Sequence, residues 1–448
     1  MKPHPSYLDS GIDWIGTLPS HWNQRKIKYI FFQRTERNDP VQSENILSLT
    51  IKQGVIPLSE KQSGGNKPKD DMSKYNLTYP GDIVLNSMNV IVGSVGLSKY
   101  FGVVSPVYYV LKQMNPNDNI EYFNNLFRTQ IFQKSLVGLG NGILIKKTES
   151  SGKLNTIRMR IPMDKLNQVV IPYPPTSEQK RIVSYLHERT QKIDQLIDLT
   201  EQRIELFKEQ RTSLINHCVT KGLNPNVEMK DSGVEWVGEI PSNWKSISLR
   251  YYVTKVGSGS TPRGGGETYQ DEGVKFLRSQ NIHFEGLHLD EIVHITEDTH
   301  SNMKNSQVRY GDVLLNITGG SIGRCCVVEV EDDFNVNQHV SILRTKQSLV
   351  NKYLNFILKS TIGQEQVLYN QTGGNREGLT SENIKNFKFG LPSRDEQVEI
   401  VNHLDIIERE YRKLIESETK RIILLTEYRQ SLISEVVTGK IDVRDWNG

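Results

Sequence analysis

The sequence of 448 residues repeats itself at long range, and this repeat limits the possible folds more than any other feature. The motif S-G-I-D-W-I-G begins at Ser10 and returns as S-G-V-E-W-V-G at Ser232, an offset of 222 residues. A second motif, G-D-I-V-L-N at Gly81, returns as G-D-V-L-L-N at Gly311, an offset of 230 residues. Solenoid and propeller units repeat every roughly 20–50 residues, so this period is too long for either. The sequence therefore predicts a duplicated pair of domains.

The two halves agree at their ends and differ between them. The run P-P-T-S-E-Q-K-R-I-V at Pro174 corresponds to P-S-R-D-E-Q-V-E-I-V at Pro392, whereas the long middle parts share little. These middles contain short β-branched or alternating runs separated by Gly- and Asn-rich turns, the pattern of a mixed α/β domain. One scaffold that carries two different recognition surfaces accounts for this pattern. Simple duplication followed by drift is the alternative.

Each half ends in a segment that predicts one long helix. No Gly or Pro occurs from Glu178 to Thr220 or from Glu396 to Thr438, and Gly222 and Gly439 are suitable helix stops. A helix of about 40 residues spans roughly 60 Å, and its apolar stripe requires a partner. We expect the two helices to pair antiparallel as a coiled coil, with one domain at each end of the resulting rod.

Heptad counting assigns the seam between these helices. The residues expected to pack there are Val183, Leu186, Ile193, Ile197, Ile204, Phe207, Leu214, Val401, Leu404, Tyr411, Ile415, Ile422, Leu425 and Leu432. Polar seam positions such as Thr200, Glu418 and Arg429 are expected to set the register or to face another subunit.

The composition is that of a soluble globular protein with two or three domains. Lys and Arg number 55 against 52 Asp and Glu, a formal net charge of +3. No apolar run approaches the ~18 residues needed to cross a bilayer, and the N-terminus lacks the apolar core of a secretory signal. The 3 Cys make no disulfide framework, so we expect a reduced, cytoplasmic protein without a membrane segment. Near-neutrality argues against a uniform polyanion binder but leaves local basic patches open.

Motifs of known catalytic sites are absent from the sequence. It contains no G-x-x-x-x-G-K-[ST] phosphate loop, no Asn-Pro-Pro-aromatic methyltransferase motif, no H-E-x-x-H and no G-x-S-x-G. His283, His288, His294 and His300 are spaced by five or six residues, which places them on no common helix face. We therefore predict neither catalysis nor a metal site in this chain.

Side chains suited to DNA contact occur in both middles. The stretch from Lys146 to Lys165 holds six basic residues against two acidic ones, which suits phosphate contacts, with a solvated charged face as the alternative. Arg can pair bidentately with guanine, and Asn or Gln with adenine. The candidate DNA-binding residues are Lys52, Asn86, Lys146, Lys147, Arg158, Arg160, Thr261, Arg263, Arg278, Gln280, Asn281, Asn316, Arg324, Asn375 and Arg376.

Read together, three repeated features resemble the specificity (S) subunit of type I restriction-modification systems. They are the opening S-G-[IV]-[DE]-W-[IV]-G-x-[LI]-P-x-x-W, the proline-led entry into each long helix, and the ending R-[TQ]-S-L-I. The resemblance covers essentially the whole chain and is most specific from Glu427 to Arg444. The first-half counterpart of that ending departs from it at Asn216-His217-Cys218.

The resemblance implies a fold and a role. Two α/β target recognition domains, related by pseudo-twofold symmetry, would each read one half of a bipartite double-stranded DNA target. The long helices would set the spacing between the half-sites and dock two methyltransferase (M) subunits, and restriction (R) subunits would complete the nuclease. The chain itself would hold no cofactor, because the M subunit binds S-adenosylmethionine and methylates adenine.

The resulting division of the chain has four parts. Residues 1–173 and 223–391 are predicted to form the recognition domains, 174–222 the first spacer helix, and 392–448 the second spacer helix with a C-terminal tail. Two other classes of function remain. One is a coiled-coil assembly scaffold that reads no DNA sequence, and the other is a fused enzyme, which the missing motifs disfavour.

Overall fold

The structure is a computed structural model that describes residues 2–51, 53–61, 71–140, 160–262, 264–371 and 378–446. The chain divides into two compact units. The first comprises Met1–Thr200 together with Lys420–Gly448, and the second comprises Glu201–Thr419. The last residues of the chain thus fold with the first half. The four-part division predicted from the sequence does not group these residues together.

In its described residues the first unit combines short strands with helices, one of which runs on into the second unit. Its strands are β1 (Tyr7–Asp9), β2 (Thr17–Pro19), β3 (Asn23–Lys26), β4 (Phe31–Arg34), β5 (Leu47–Thr50), β6 (Gly54–Pro57), β7 (Asn76–Thr78), β8 (Ile83–Asn86), β9 (Val95–Leu97), β10 (Gly102–Val104), β11 (Tyr108–Gln113) and β12 (Val170–Tyr173). Its helices are α1 (Ile120–Phe127), α2 (Gln130–Ser135), α3 (Met163–Gln168) and α4 (Thr176–Lys221).

The second unit repeats this construction. Its strands are β13 (Met229–Asp231), β14 (Glu239–Pro241), β15 (Lys245–Ser248), β16 (Val253–Ser258), β17 (Val274–Leu277), β18 (Ile282–His283), β19 (Gly286–Leu287), β20 (Val293–Ile295), β21 (Gln307–Val308), β22 (Val313–Asn316), β23 (Cys325–Val327), β24 (Phe334–Val336), β25 (Val340–Thr345) and β26 (Lys388–Leu391). Its helices are α5 (Glu297–Asn302), α6 (Asn351–Lys359), α7 (Thr361–Tyr369), α8 (Ser381–Lys385) and α9 (Arg394–Val437), the last ending in the first unit.

A four-stranded antiparallel sheet lies at the centre of each unit. Its order is β4-β11-β8-β9 in the first unit and β16-β25-β22-β23 in the second. One sheet face is covered by the helix pair α1–α2 or α6–α7, whose aromatic residues Phe123, Phe127, Tyr353 and Phe356 are buried. The second unit adds another four-stranded sheet, of order β20-β17-β24-β21.

The repeated Gly-Asp motif is a structural element of both sheets. Asp312 accepts two hydrogen bonds from the Arg344 guanidinium, at 2.8 and 2.7 Å, and a third from the Arg309 backbone N–H at 2.8 Å. Asp82 accepts the corresponding pair from Arg34 at 2.9 and 3.2 Å. The arginine lies on β25 in the second unit and on β4 in the first, so the same buried carboxylate is paired from different strands.

The opening motif of each half forms a frame around the start of a long helix. In the first unit, Trp22 Nε1 donates to Glu178 Oε1 at 2.9 Å, at the start of α4. The end of α9 completes this frame, because Gly439, at φ +75°, lies against the Trp22 ring where a Cβ would come within 2.5 Å of Pro19. Gly439 thus ends the helix as predicted, in a left-handed conformation that suits glycine.

The second unit builds the same frame from the other helix ends. Trp244 Nε1 donates to Glu396 Oε1 at 2.9 Å, at the start of α9, and Gly222 follows the end of α4 at φ +73° beside the Trp244 ring. Each unit therefore contains the start of one long helix and the end of the other. This construction explains why both the openings and the endings of the two halves are repeated in the sequence.

Within each unit the segments of α4 and α9 run antiparallel. In the first unit, Arg429 donates to the Asp194 carboxylate at 2.8 and 3.2 Å, and Arg181, earlier in α4, donates to the Arg444 carbonyl beyond α9. In the second unit, Arg203 pairs with Glu418 at 3.0 Å, and later in α4 Gln210 accepts from the Tyr411 hydroxyl at 3.4 Å. The predicted antiparallel helix pairing is confirmed in both units.

The heptad positions are buried or half-buried along this pairing, with one exception. Those that are buried are Leu186, Ile193, Ile204, Val401, Leu404 and Leu432, and those that are half-buried are Val183, Ile197, Phe207, Tyr411, Ile415, Ile422 and Leu425. Leu214 is the exception, with 37% of its surface exposed, while Ile215 is 4% exposed. An α-helix of 3.6 residues per turn drifts from a strict heptad, and here α4 packs on the domain core with Cys218 and Val219 rather than in a two-helix seam.

The fold class predicted from the sequence is thus confirmed: two mixed α/β units of the same construction, with two long antiparallel helices. Among the described residues, no helix is both long and apolar enough to cross a membrane.

Candidate nucleic-acid interface

One end of the central sheet in the second unit gathers polar loops. Strands β16 and β22 end here and β25 begins here, because Ser258 pairs with Ser341 and Asn316 pairs with Val340. We call the segments 259–262, 279–281, 317–324 and 337–339 the loop end of this unit. Since three of these segments leave or enter adjacent strands, their side chains form one surface.

Two buried asparagines connect the turns of this surface by hydrogen bonds. Asn316 is buried at the end of β22, and its Nδ2 donates to Ser279 O at 2.8 Å and to Ser321 Oγ at 3.1 Å. Asn281 is also buried, accepting from the Arg278 N–H at 2.9 Å and donating to His288 O at 2.9 Å. These hydrogen bonds stabilise the turns, while Asn316 Oδ1 has no hydrogen-bond partner among the described residues; contact of either residue with a base stays a prediction.

The glycine-rich segment that follows β16 is tied to the sheet at its start. Gly259 N donates to Val340 O at 3.0 Å, and a Cβ at Gly259 would lie 1.9 Å from Val336 O, so only glycine fits there. Thr261, two residues on, is exposed and donates to Gln338. The neighbouring candidate Arg263 lies outside the described residues.

Arg324 and Gln280 provide side chains at the loop end that the fold does not use. Arg324 is half-buried just before β23, with its backbone carbonyl accepting from Asn316 N at 2.8 Å. Gln280 is exposed in the 3-10 turn Ser279–Asn281. Within the described part of the chain, neither its amide nor the Arg324 guanidinium has a hydrogen-bond or ion-pair partner. Arg278, by contrast, donates to Glu291 O at 3.0 Å and lies near the Tyr269 ring.

The first unit has an equivalent loop end. Strands β4 and β8 end there and β11 begins there, because Asn86 pairs with Tyr108 and Arg34 pairs with Val110. Asn86 is half-buried, and its side chain accepts from Met88 N at 3.0 Å, which stabilises the following turn. Exposed Val107 lies beside it, its carbonyl accepting from Ser87 Oγ at 3.0 Å.

In both units a later segment of the chain returns to the loop end and forms the same backbone hydrogen bond there. We call this hydrogen bond the closure of the loop end. In the first unit, Ile161 N donates to Ser87 O at 2.9 Å, one residue after the end of β8. In the second unit, Leu379 N donates to Ile317 O at 2.9 Å, one residue after the end of β22. Arg160, exposed and without a partner among the described residues, therefore returns to the loop end beside Asn86.

This shared closure relates two candidate segments that are unlike in sequence. Residues 141–159 precede it in the first unit and residues 372–377 precede it in the second. Lys146, Lys147 and Arg158 belong to the former, Asn375 and Arg376 to the latter, and all five lie outside the described residues, as does Lys52. Their positions along the chain correspond, which the sequence comparison did not reveal because the segments differ in length and composition.

Two side chains of the loop end were not predicted from the sequence. His339 Nδ1 lies 2.5 Å from Thr318 Oγ1, and Gln338 Nε2 lies 3.1 Å from His339 Nε2. They belong to the three-residue connection 337–339 between β24 and β25, the counterpart of 105–107 between β10 and β11. The sequence does place a three-residue connection between two apolar runs in each half, Asn337-Gln338-His339 and Ser105-Pro106-Val107.

The histidine-rich segment of the second unit gathers no metal site in the structure. The His283 and His288 rings stack with their centroids 3.9 Å apart, and His300 Nδ1 lies 2.5 Å from Asn335 Oδ1. Among the described residues, the grouping of three His, Cys, Asp or Glu side chains whose donor atoms converge lies elsewhere, in the first unit.

Comparisons with known proteins agree with this duplicated construction. A family model described as the type I restriction modification DNA specificity domain matches residues 19–208 and 241–424. The type I restriction enzyme MjaVIII specificity subunit of Methanocaldococcus jannaschii is 24% identical over 391 residues, which cover 84% of each chain. The type I restriction enzyme EcoBI specificity subunit of Escherichia coli is 25% identical over 293 residues, 62% of this chain and 59% of that protein.

A solved structure shares the fold. It comes from work on complex assembly and conformational transition of the type I R-M system, and its superposition covers 95% of this chain and 99% of that chain with a TM-score of 0.69 at 15% identity. The two matches of the family model fall on the two units and cover most of the chain, so the chain belongs to the family of type I restriction-modification DNA specificity subunits.

Proposed function

We propose that each unit reads one half of a bipartite double-stranded DNA target through its loop end. The observation that carries this proposal is the shared closure of the two loop ends, Ile161 on Ser87 and Leu379 on Ile317, around segments of unlike sequence. Two different half-sites require different side chains on the same backbone framework, and the two loop ends provide this arrangement. The family membership supports the same function, and it does not support a scaffold that reads no DNA.

The chemistry of the free side chains fits base and phosphate contacts. Arg324 offers a guanidinium for guanine or phosphate, and Gln280 offers an amide that matches the edge of adenine. In the first unit, Arg160 and the basic segment before it suit phosphate contacts, which position a protein on DNA without selecting the sequence. Exposed Val107 at that loop end provides an apolar side chain for a thymine methyl group.

We further propose that the chain is a non-catalytic subunit that acts on DNA in the cytoplasm and needs no cofactor of its own. The helices α4 and α9 would set the half-site spacing and dock two methyltransferase subunits, which use S-adenosylmethionine, and restriction subunits would join that complex. The repeated frames around Trp22 and Trp244 support two equivalent docking positions, because the same local surface is built twice.

A pair of arginines at opposite ends of one strand tests the assignment of the loop end. Arg324 follows the loop that leaves the end of β22, whereas exposed Arg309 lies before its start. We expect R324A to weaken binding of the complex with its methyltransferase partner to target DNA by about 1–3 kcal/mol and to relax one base position in the second half-site. R309A removes the same charge and should leave affinity and selectivity unchanged.

The measurement is a binding selection from a randomised DNA library, followed by affinity titration at fixed salt. Equal effects of R324A and R309A on affinity, with no change of base preference in either, would contradict the placement of the reading surface at the loop end. If the chain is a scaffold that does not recognise DNA sequence, the complex with the wild-type chain would enrich no sequence.

A further inference from the structure

The N-terminal segment of the first unit places a buried histidine beside the frame. His4 precedes β1, and its ring is 0% exposed. Among the described residues, neither of its ring nitrogens has a hydrogen-bond partner. A buried imidazole loses its hydrogen bonds with water, and neither nitrogen of His4 makes a hydrogen bond in return, so this group needs an explanation.

The surroundings of His4 supply two further metal-ligand atoms. His4 Nε2 lies 3.9 Å from Glu178 Oε1, and His21 Nε2 lies 2.8 Å from Glu178 Oε2. One donor atom from each of the three residues can be chosen so that all lie within 4.8 Å of one another. Two imidazoles and a carboxylate form the ligand set of many zinc sites with an open fourth position.

The opposite side of the His4 ring faces a second carboxylate. His4 Nδ1 lies 3.5 Å from Asp442 Oδ2, and Asp442 is itself fixed by the Arg444 guanidinium, which donates to it at 2.6–3.1 Å. Histidines that bind metal through one nitrogen usually direct the other toward a carboxylate or carbonyl oxygen. The His4 ring is therefore placed as a ligand with its supporting acid already present.

From these positions we propose that His4, His21 and Glu178 bind a divalent cation of the zinc type. His21 is 34% exposed and provides the route by which the ion enters and a water completes its coordination. The ion would join three segments of the first unit: the residues before β1, the frame, and the start of α4. Asp442, on the tail that follows α9, would orient His4 and so connect that tail to the same site.

The second unit provides an internal comparison. It keeps the tryptophan–glutamate hydrogen bond, Trp244 to Glu396, but has Asn243 in the place of His21 and exposed Asn226 in the place of His4. The frame therefore forms without either imidazole. The histidine pair is a feature of the first unit alone, which argues for a role beyond support of the frame.

The sequence offered no spacing that predicts this site. The three ligands are separated by 16 and 156 residues and meet only because the frame brings the opening motif onto the start of α4. The expectation of a chain without metal came from local spacing, which does not detect ligands supplied by distant segments.

The test uses the full chain after removal of metal with a chelator. We expect the wild-type chain to bind about one zinc ion, measured by elemental analysis after dialysis against zinc, and to show visible absorption bands when cobalt replaces zinc. H4N and H21N copy the second unit at these positions and should each weaken zinc binding at least about tenfold. H187N removes an exposed histidine of α4 and should bind zinc as the wild type does.

A second readout separates metal binding from misfolding. Zinc should raise the midpoint of thermal unfolding of the wild type and of H187N but not of H4N, while circular dichroism in chelator checks that H4N is folded. If H4N does not fold, the exposed position of His21 makes H21N the decisive variant. Zinc binding by H21N equal to the wild type, or no zinc bound by the wild type, would overturn the proposal.

Discussion

Substitution of Asp312 by asparagine tests whether the repeated Gly-Asp motif is structural. The Asp312 carboxylate is 1% exposed and accepts two hydrogen bonds from Arg344 and one from the Arg309 N–H. Asparagine keeps the shape and one acceptor oxygen but turns an NH₂ group toward the guanidinium. The substitution removes a charge partner and leaves Arg344, which is mostly buried, without compensation.

The expected loss of stability follows from these contacts. Hydrogen bonds to charged groups contribute roughly 1.5–3 kcal/mol each, and breaking one side of a buried ion pair costs about 3–5 kcal/mol. Because asparagine retains one acceptor and Arg344 keeps some access to water, we expect D312N to lower the free energy of unfolding by about 2–4 kcal/mol. For a unit of this size, about 3 kcal/mol corresponds to a fall of roughly 6–12 °C in the unfolding midpoint.

The assay is differential scanning calorimetry of the full chain, with D333N as the matched control. Asp333 is exposed in the same unit, so D333N should change stability by less than about 0.5 kcal/mol. D82N should destabilise the first unit by a similar amount, because Asp82 holds Arg34 in the same way. A D312N midpoint within 2 °C of that of D333N would show that this motif does not stabilise the sheet.

Three further outcomes follow from the packing of the helices, the cysteines and the basic segment. I215A should lower the free energy of unfolding by about 2–4 kcal/mol and L214A by less than about 1 kcal/mol, because Ile215 is buried and Leu214 is exposed. Denaturant titrations measure both values, and the reverse order would support a strict heptad instead. Burial raises the pKa of Cys326 to about 12 and raises those of Cys325 and Cys218, so fewer than about one in a thousand Cys326 thiols are ionised at pH 8. Ellman's reagent should therefore label the folded chain slowly at pH 8 and all 3 cysteines in denaturant, and rapid labelling of the folded chain would count against this core. Replacing Lys146 and Lys147 with alanine should weaken DNA binding by the complex across sequences and reduce its salt dependence, measured by titration at several salt concentrations; a change of base preference alone would contradict a phosphate-binding role.

The sequence predicts those parts of the fold that depend on local patterns. Long runs without Gly or Pro predict the two helices, and Gly439 and Gly222 mark their ends, because helix periodicity and capping depend on residues close in the chain. The heptad assignment is correct as far as Phe207 and fails at Leu214, where α4 leaves the helix pair and packs on a domain core. The packing partner, and not the helix itself, changes there.

The loop ends depend on pairings that no local pattern records. Thr261 and Arg324 lie at the same end of the sheet because β16, β22 and β25 are adjacent, and the Asn316–Ser279 hydrogen bond brings the turn of Gln280 to the same end. These contacts join residues that are distant in the sequence. No local pattern shows either that Asn281 and Asn316 donate hydrogen bonds to neighbouring turns. A short amide at a strand end looks the same in the sequence whether it faces a base or holds a neighbouring turn.

A domain exchange measures directly whether each unit reads its own half of the DNA target. Residues 24–171 of the first unit would be replaced by the corresponding segment of another family member, and the adenines modified by the complex with its methyltransferase partner would be mapped across the genome. If each unit reads its own half, we expect one half-site to change while the other half-site and the spacing stay the same. A change in both half-sites, or in neither, would contradict it.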